Sequence, residues 1–452
     1  MWHPTEDELA LLAFDRSTLP NLREIETHLQ ECIECERALD AYRQLESGLH
    51  DRDSWTLADQ MTAITAHQET IRRLAAQIAR EDEEAQRLLG DRLQAPTALA
   101  WLDVGNRQSL QTGGVVRRLL AAAYQACTRE PLEALTFAEQ AIDIAERLPD
   151  DVYDGSLVYD LRGTAWKERA NALRFLGRFD EALASLDRAS EAYAHVPSSP
   201  LGPATVIFVR ASILYERGRL PEALRLAETS ERQFAHIGDR ERQMRARHLQ
   251  ANIRFYLQEI GPAREMYREI LAWAESRHDL TWIARESRTL AHCALECEDF
   301  AEAAQRFDTA LRAFRELGET SEVTRTEAGI GRLLLATGRI DEATGYLAKV
   351  EERFRELGLL TDAALVALHA MDGWYVQGAM AEIAAKAAVL IDVFTAAGML
   401  TSALQAFAYL KEAATSGRVT PAIIEHVRKF VSQVEREPQL LFAPPPGDTP
   451  PH

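Results

Sequence analysis

A six-residue turn returns at nearly fixed intervals along this chain, and that repetition sharply limits what it can fold into. It reads GRFDEA at 177–182, GRLPEA at 218–223 and GRIDEA at 338–343, with looser copies starting at Gln258, Glu298 and Gly378. Between first residues the steps are 41, 40, 40, 40 and 40. Weaker copies start at Arg129 and Gly417. Each unit reads as two helices. The first ends at Gly, as in ANALRFLG and GRLLLATG, because Gly supplies the left-handed conformation that stops a helix. The second usually opens with acidic residues, which suit a helix N-terminus. Ala at the turn's sixth position (182, 223, 263, 303 and 343) stands where a larger side chain would hold paired helices apart. One such pair cannot bury its apolar face alone, so neighbours must stack. The expectation is an all-α chain whose residues 112–436 form a right-handed α-solenoid of about seven or eight pairs.

The Gly-x-x-x-Glu-Ala turn and the helix pairs around it resemble tetratricopeptide repeats, of the longer forty-residue kind. The Trp and Tyr of the usual first helix are mostly replaced. The resemblance implies a concave groove lined by first helices that takes a peptide or protein. Arg169, Asn171, Arg210, Arg247, Asn252 and Arg332 are the candidate groove residues. Asn171 and Asn252 each stand six residues before the turn, where relatives that clamp a peptide carboxylate carry Asn. Ser212 and His292 interrupt that series, and other clamp members are missing.

A second feature lies near the N-terminus, where HLQECIEC places His28, Cys32 and Cys35 within eight residues, with His3 twenty-five residues upstream. On one helix, steps of four and seven residues put all three side chains on one face. Imidazole and thiolate donors favour zinc over calcium or magnesium, which want oxygen. His3 would close a tetrahedron, and His50, Asp51 or a water compete for that place. A reduced Cys-x-x-Cys beside an incidental His is the reading without metal.

The run from Pro4 to Leu49, with its early His, its gap and its H-x3-C-x2-C, resembles the zinc-binding anti-sigma domain of bacterial regulators. The resemblance implies a structural zinc on His3, His28, Cys32 and Cys35, and a sigma factor of the extracytoplasmic-function kind as partner. Two departures matter. Many relatives continue into a transmembrane helix and this chain has none, and redox-sensing relatives carry Cys where His3 stands.

Charge bears on the partner. The whole chain carries −19, and residues 1–58 hold thirteen Asp or Glu against five Arg or Lys, which opposes DNA or RNA binding and suits a basic protein. No apolar run is long enough to span a membrane, and MWHPTEDELALL is not a secretory signal, so a cytoplasmic protein is expected. Five cysteines in 452 residues make no disulfide framework. Cys293 and Cys297, beside His292, fit the buried face of a repeat helix better than a second metal site.

The expected organisation is therefore a zinc module at 1–55, a connector at 56–111, the solenoid at 112–436 and a Pro-rich tail at 437–452. The connector reads as one long helix over 56–82, then a bridge broken at Pro96, with Leu99, Trp101 and Leu102 capping the first repeat. The tail reads as disordered, with Leu440, Leu441 and Phe442 able to dock on the last helix or to serve as a short ligand. No phosphate loop, nucleophile elbow or HExxH pair occurs, and four protein ligands would leave zinc no open position, so no enzyme is expected. The leading expectation is a soluble cytoplasmic regulator that holds a sigma factor through the zinc module, with the solenoid as its sensor arm. The alternative is an interaction scaffold whose zinc module is structural or binds another protein.

Overall fold

The computed structural model describes residues 3–5, 8–9, 12–13, 21–30, 32, 35–40, 42–43, 57–90, 110–149, 152–196, 199–397, 401–434 and 440–445, with backbone alone over 57–71. Most of these residues are helical, with no strand among them. The chain divides into two compact units, Met1–Arg87 and Leu88–His452.

In the first unit, α1 (Leu22–Leu29) and a helical stretch at 35–40 pack with Leu9 and Leu12 around Ile25 and Leu39. Thr5 and Glu8 form a reciprocal capping box: the Thr5 N–H donates to Glu8 Oε2 (2.8 Å) and the Glu8 N–H to Thr5 Oγ1 (3.2 Å). That fixes the backbone two residues beyond His3. The connector helix, α2 (Leu57–Leu89), runs seven residues past the expected end at 82. EEAQRLL keeps good helix formers to Leu89, and the first break is Gly90 at φ 35°. Pro96, Leu99, Trp101 and Leu102 lie outside the described residues.

The second unit is the solenoid. Its helices pair as α3 (Gly113–Ala126) with α4 (Pro131–Glu146), α5 (Gly155–Phe175) with α6 (Phe179–Tyr193), and α7 (Leu201–Glu216) with α8 (Leu220–Ile237). Then come α9 (Arg240–Tyr256) with α10 (Ile260–Ser276), and α11 (Leu280–Glu296) with α12 (Phe300–Glu316). The last are α13 (Thr320–Ala336) with α14 (Ile340–Glu356), α15 (Leu360–Val376) with α16 (Met380–Ala396), and α17 (Thr401–Thr415) with α18 (Pro421–Val434). The sixth-position alanines 182, 223, 263, 303 and 343 are all fully buried where the paired helices meet.

The helix stops show a finer period than the sequence reading expects. Left-handed residues stand at 218, 238, 258, 278, 298, 318, 338, 358 and 378, one every twenty residues. The turn after each second helix therefore repeats the geometry of the turn within each pair. At Gly218 the bonds are those of a Schellman motif: Gly218 N–H to Tyr215 O (3.0 Å) and Arg219 N–H to Leu214 O (2.9 Å). Gln258, His278 and Glu298 take the same conformation without being Gly.

First helices touch the first helix of the next pair: α3 with α5, α5 with α7, α7 with α9, α11 with α13, and α13 with α15. Second helices of successive pairs do not approach as closely. In a curved stack the nearer elements lie on the inside, so the first helices form the inner wall. The curvature is tight enough for Arg245 on α9 to donate to Tyr124 Oη on α3 (2.9 Å), six helices earlier.

The end of the stack departs from this pattern. There α18 turns back onto α15, where Arg428 donates to Leu368 O (3.1 Å) and pairs with Asp372. Residues 440–445 of the tail are held rather than disordered. Leu440 and Phe442 join the last core, with the Phe442 ring 5.1 Å from Phe430 and 5.5 Å from Tyr409, while Leu441 is 80% exposed.

Candidate functional site

His3, His28, Cys32 and Cys35 converge, each offering one donor atom, with all four atoms within 4.8 Å of one another. The triplet does not ride on one helix. His28 sits in the last turn of α1, Cys32 in the break that follows, and Cys35 at the start of the next helical stretch. Helical pitch nevertheless continues across the break, because Cys32 N–H bonds to His28 O and Glu36 N–H to Cys32 O, both at 3.0 Å. The donors thus stay on one side. His28 and Cys35 are buried, Cys32 is half-buried and His3 exposed.

The distances match a shared cation better than a hydrogen-bond cluster. His3 Nδ1 lies 3.2 Å from His28 Nε2, 3.3 Å from Cys35 Sγ and 3.7 Å from Cys32 Sγ. One ring nitrogen has either one proton or one lone pair, so it cannot serve three partners at once. A tetrahedral zinc with usual bond lengths would separate two nitrogens by about 3.3 Å and a nitrogen from a sulfur by about 3.6 Å. The donor set therefore fits a closed four-coordinate site. Among the described residues no other group of His, Cys, Asp or Glu converges in this way. His50 and Asp51 lie outside the described residues. Cys293 is buried on the face expected of a repeat helix, whereas Cys297 caps the end of that helix and is exposed.

The groove candidates separate into two sets. Arg169 donates to Ser185 on α6 (2.7 Å) and Glu139 on α4 (3.2 Å), and Arg210 reaches Asp187 on α6 (2.6 Å). Arg247 pairs with Glu231 on α8 (3.0 Å) and with Glu269 on α10. These three arginines point among the second helices, away from the inner wall. Relative to Asn171, Arg169 is two residues and so about 200° around the helix, which is the physical reason. Asn171, Asn252 and Arg332 stand at the inward position. Asn171 accepts from Arg174 (3.0 Å), Asn252 from Tyr267 Oη (2.6 Å), and Arg332 reaches Glu296 (3.0 Å) and His292 Nδ1 (3.4 Å).

Sequence reasoning missed the rest of that stripe, although its spacing is regular. Seven and four residues before each of these inward positions stand further inward residues, two turns and one turn back. On α9, α11 and α13 they include Arg245, Arg285, Arg288 and Arg325. Toward the C-terminal end, a cavity of about 530 Å³ is lined by Arg332, His369, Asp372 and Arg428, among others. Burial, with the charges of Arg332 and Arg288 and of His369, holds His292 well below the ordinary imidazole range. Burial likewise pushes His369 down to about 4, Asp372 opposing and Arg428 and Arg332 adding to the effect.

No known family model matches the chain, and no curated protein does. Among solved structures, the apo form of RapI is similar at 13% identity, covering 79% of this chain and 98% of its own, with a TM-score of 0.47. Aspartyl phosphate phosphatase F from Bacillus subtilis is similar at 16% identity over 78% of this chain and 94% of its own, with a TM-score of 0.46. A signal-transduction ATPase with a tetratricopeptide repeat sensor, from Pyrococcus horikoshii, is similar at 15% identity over 78% of this chain and 55% of its own, with a TM-score of 0.44.

Proposed function

We propose that this chain is a protein-interaction scaffold of the tetratricopeptide kind, whose inner wall receives a peptide or an extended segment of a partner. The observation that carries the reading is the inner wall of first helices, which meet from α3 to α9 and again from α11 to α15 and on which polar side chains recur from pair to pair. Such a surface binds by contacts with one extended ligand, not by chemistry at a single centre. The reading gives the chain no catalytic role and places it in the cytoplasm. No helix among the described residues is long and apolar enough to cross a membrane. The test is crosslinking of the full chain in its host, followed by mapping of the crosslinked residues. Partner crosslinks on the first helices support the reading. Crosslinks confined to second helices would sink it.

The four-donor cluster favours a second, compatible reading for the first unit: a structural zinc module that holds a basic protein, a sigma factor by its sequence resemblance. Its acidic balance supports a basic partner and opposes nucleic acid. Metal analysis of the purified chain should return one zinc per chain, falling to none in the Cys32→Ser, Cys35→Ser double variant. Co-purification with each small sigma factor of the host then decides the partner. A sigma factor kept by the wild type and lost by the double variant supports the reading, and retention of none refutes it.

A further inference from the structure

We propose that the inner wall of the solenoid from α9 to α13 takes an acidic segment of its partner, whose carboxylates are received by a column of arginines. This deepens the scaffold reading and rests on it. The chain as a whole is strongly acidic at −19, so a basic stripe inside it needs a reason. The inward stripe consists of positions thirteen, ten and six residues before each turn, which share one helix face. Over α5, α7, α9, α11 and α13 it holds Lys167, Arg245, Arg285, Arg288, Arg325 and Arg332, and no Asp or Glu. The next first helix, α15, brings the stripe's first carboxylate, Asp372.

Arg245, Arg285 and Arg325 stand forty residues apart at one position of three successive pairs. The hydrogen bond of Arg245 to Tyr124, across the curve of the stack, shows that this position faces inward. Arg245 is also paired with Glu241 (2.7 Å), Arg325 with Glu322 (2.6 Å) and Asp362 (2.9 Å), and Arg288 with Glu322. Those carboxylates stand toward the helix N-termini, at the edge of the stripe. Arg332 is held from the opposite edge by Glu296. The Arg245–Glu241 and Arg332–Glu296 pairs are largely exposed, and such pairs are worth about 0–1 kcal/mol each, so exchanging their carboxylates for a ligand's costs little. Arg288 and Arg325 instead hold part-buried pairs around Glu322 and Asp362 and are pre-positioned by them. Arg285 differs. It is exposed, lies over the Trp282 ring at 5.6 Å, and has no carboxylate within 4.0 Å among the described residues. It is the stripe's open position.

Neighbouring first helices at about 10 Å and an extended chain at about 3.4 Å per residue put roughly six ligand residues along the column. Period-two alternation would turn every second side chain toward the arginines. The recognised chemistry is therefore an extended run with acidic residues at alternate positions, internal as well as terminal.

The test is fluorescence anisotropy on the full chain with three labelled peptides of about ten residues, alternating Ala with Glu, with Gln or with Lys. The Glu peptide should bind, weaken steeply with added salt, and lose at least tenfold affinity in Arg285→Glu, Arg325→Glu. The reversal Arg225→Glu, Arg312→Glu on second helices should leave binding within twofold, and circular dichroism should show both variants folded. Arg285→Gln gives a milder check, with a loss of about threefold. Binding of the Lys or Gln peptide as tight as the Glu peptide, indifference to the inner reversal, or no binding of the Glu peptide overturns the proposal. Partner crosslinks on the first helices alongside any of those results would leave the scaffold reading standing and remove only its acidic ligand.

Discussion

The two units of this chain solve the same problem of size in opposite ways. The first has few buried apolar side chains to share, with Leu9, Leu12, Ile25 and Leu39 as its core among the described residues, and it gathers four metal donors beside them. The second repeats a helix pair, so each pair's exposed flank is covered by the next and the core runs on through the stack. A small module must draw stability from a point, whereas a solenoid draws it from a line. The units should therefore fail under different insults.

Metal removal tests that difference most strongly. A structural zinc contributes on the order of 10 kcal/mol to modules of this size. Chelation, or Cys32→Ser with Cys35→Ser, should unfold the first unit and leave the solenoid intact. Hydrogen exchange should rise throughout residues 3–43 and stay unchanged over 113–434. A change spread evenly over both would show that the units are not independent in stability.

The converse insult is a methyl group in the solenoid. The Tyr193 ring lies between two glycines of neighbouring first helices, and its Oη meets Thr164 Oγ1 at 3.0 Å. A Cβ on Gly163 would stand 2.8 Å from that ring, and one on Gly202 would overlap it. Gly202→Ala should therefore cost about 1–3 kcal/mol by overpacking, read as a lower urea midpoint, with zinc content unchanged. Gly345→Ala, where nothing lies within 4 Å, should instead gain about 0.5–1 kcal/mol. Equal effects at the two sites would remove the packing argument.

How legible each unit was follows from the same contrast. The metal motif could be read because donor chemistry and spacing survive in sequence even when a helix breaks between His28 and Cys32. The forty-residue period was readable from Gly177, Gly218 and Gly338. The twenty-residue period was hidden because His278, Gln258 and Glu298 do a glycine's work, held there by the helix-ending bonds around them. Among the groove candidates, Asn171, Asn252 and Arg332 stand at the inward helical angle, whereas Arg169, Arg210 and Arg247 pair with side chains of the second helices. The return of α18 onto α15 leaves no periodic trace, since it ends the repeat instead of continuing it.

Acid should separate the C-terminal end of the solenoid from the rest. His369, pushed down to about 4, faces Asp372 (3.8 Å) with Arg428 and Arg332 nearby. A base with a lowered folded pKa binds fewer protons folded than unfolded, so its contribution is complete above the unfolded value near 6.5 and is lost as pH falls toward 4. Between pH 7 and pH 5 the wild type should lose roughly 1–2 kcal/mol more than His369→Gln. Hydrogen exchange should place that loss in α15 and α18. An identical pH dependence in the two proteins would show that the imidazole is not the cause.

The smallest effects sharpen the comparison within the line itself. Glu298 and Gly338 occupy one position of successive pairs, at φ 57° and 75°. A side chain in that conformation costs about 1–2 kcal/mol, partly offset because Gly gains freedom when unfolded. Glu298→Gly should thus stabilise by about 0.5–1 kcal/mol, and Gly338→Ala should destabilise by a similar amount. Because a stack couples only neighbours, each change should alter hydrogen exchange in its own and adjoining pairs before it alters the global midpoint. Two changes of the same sign would mean that contacts around the turn, and not its backbone conformation, set the stability there.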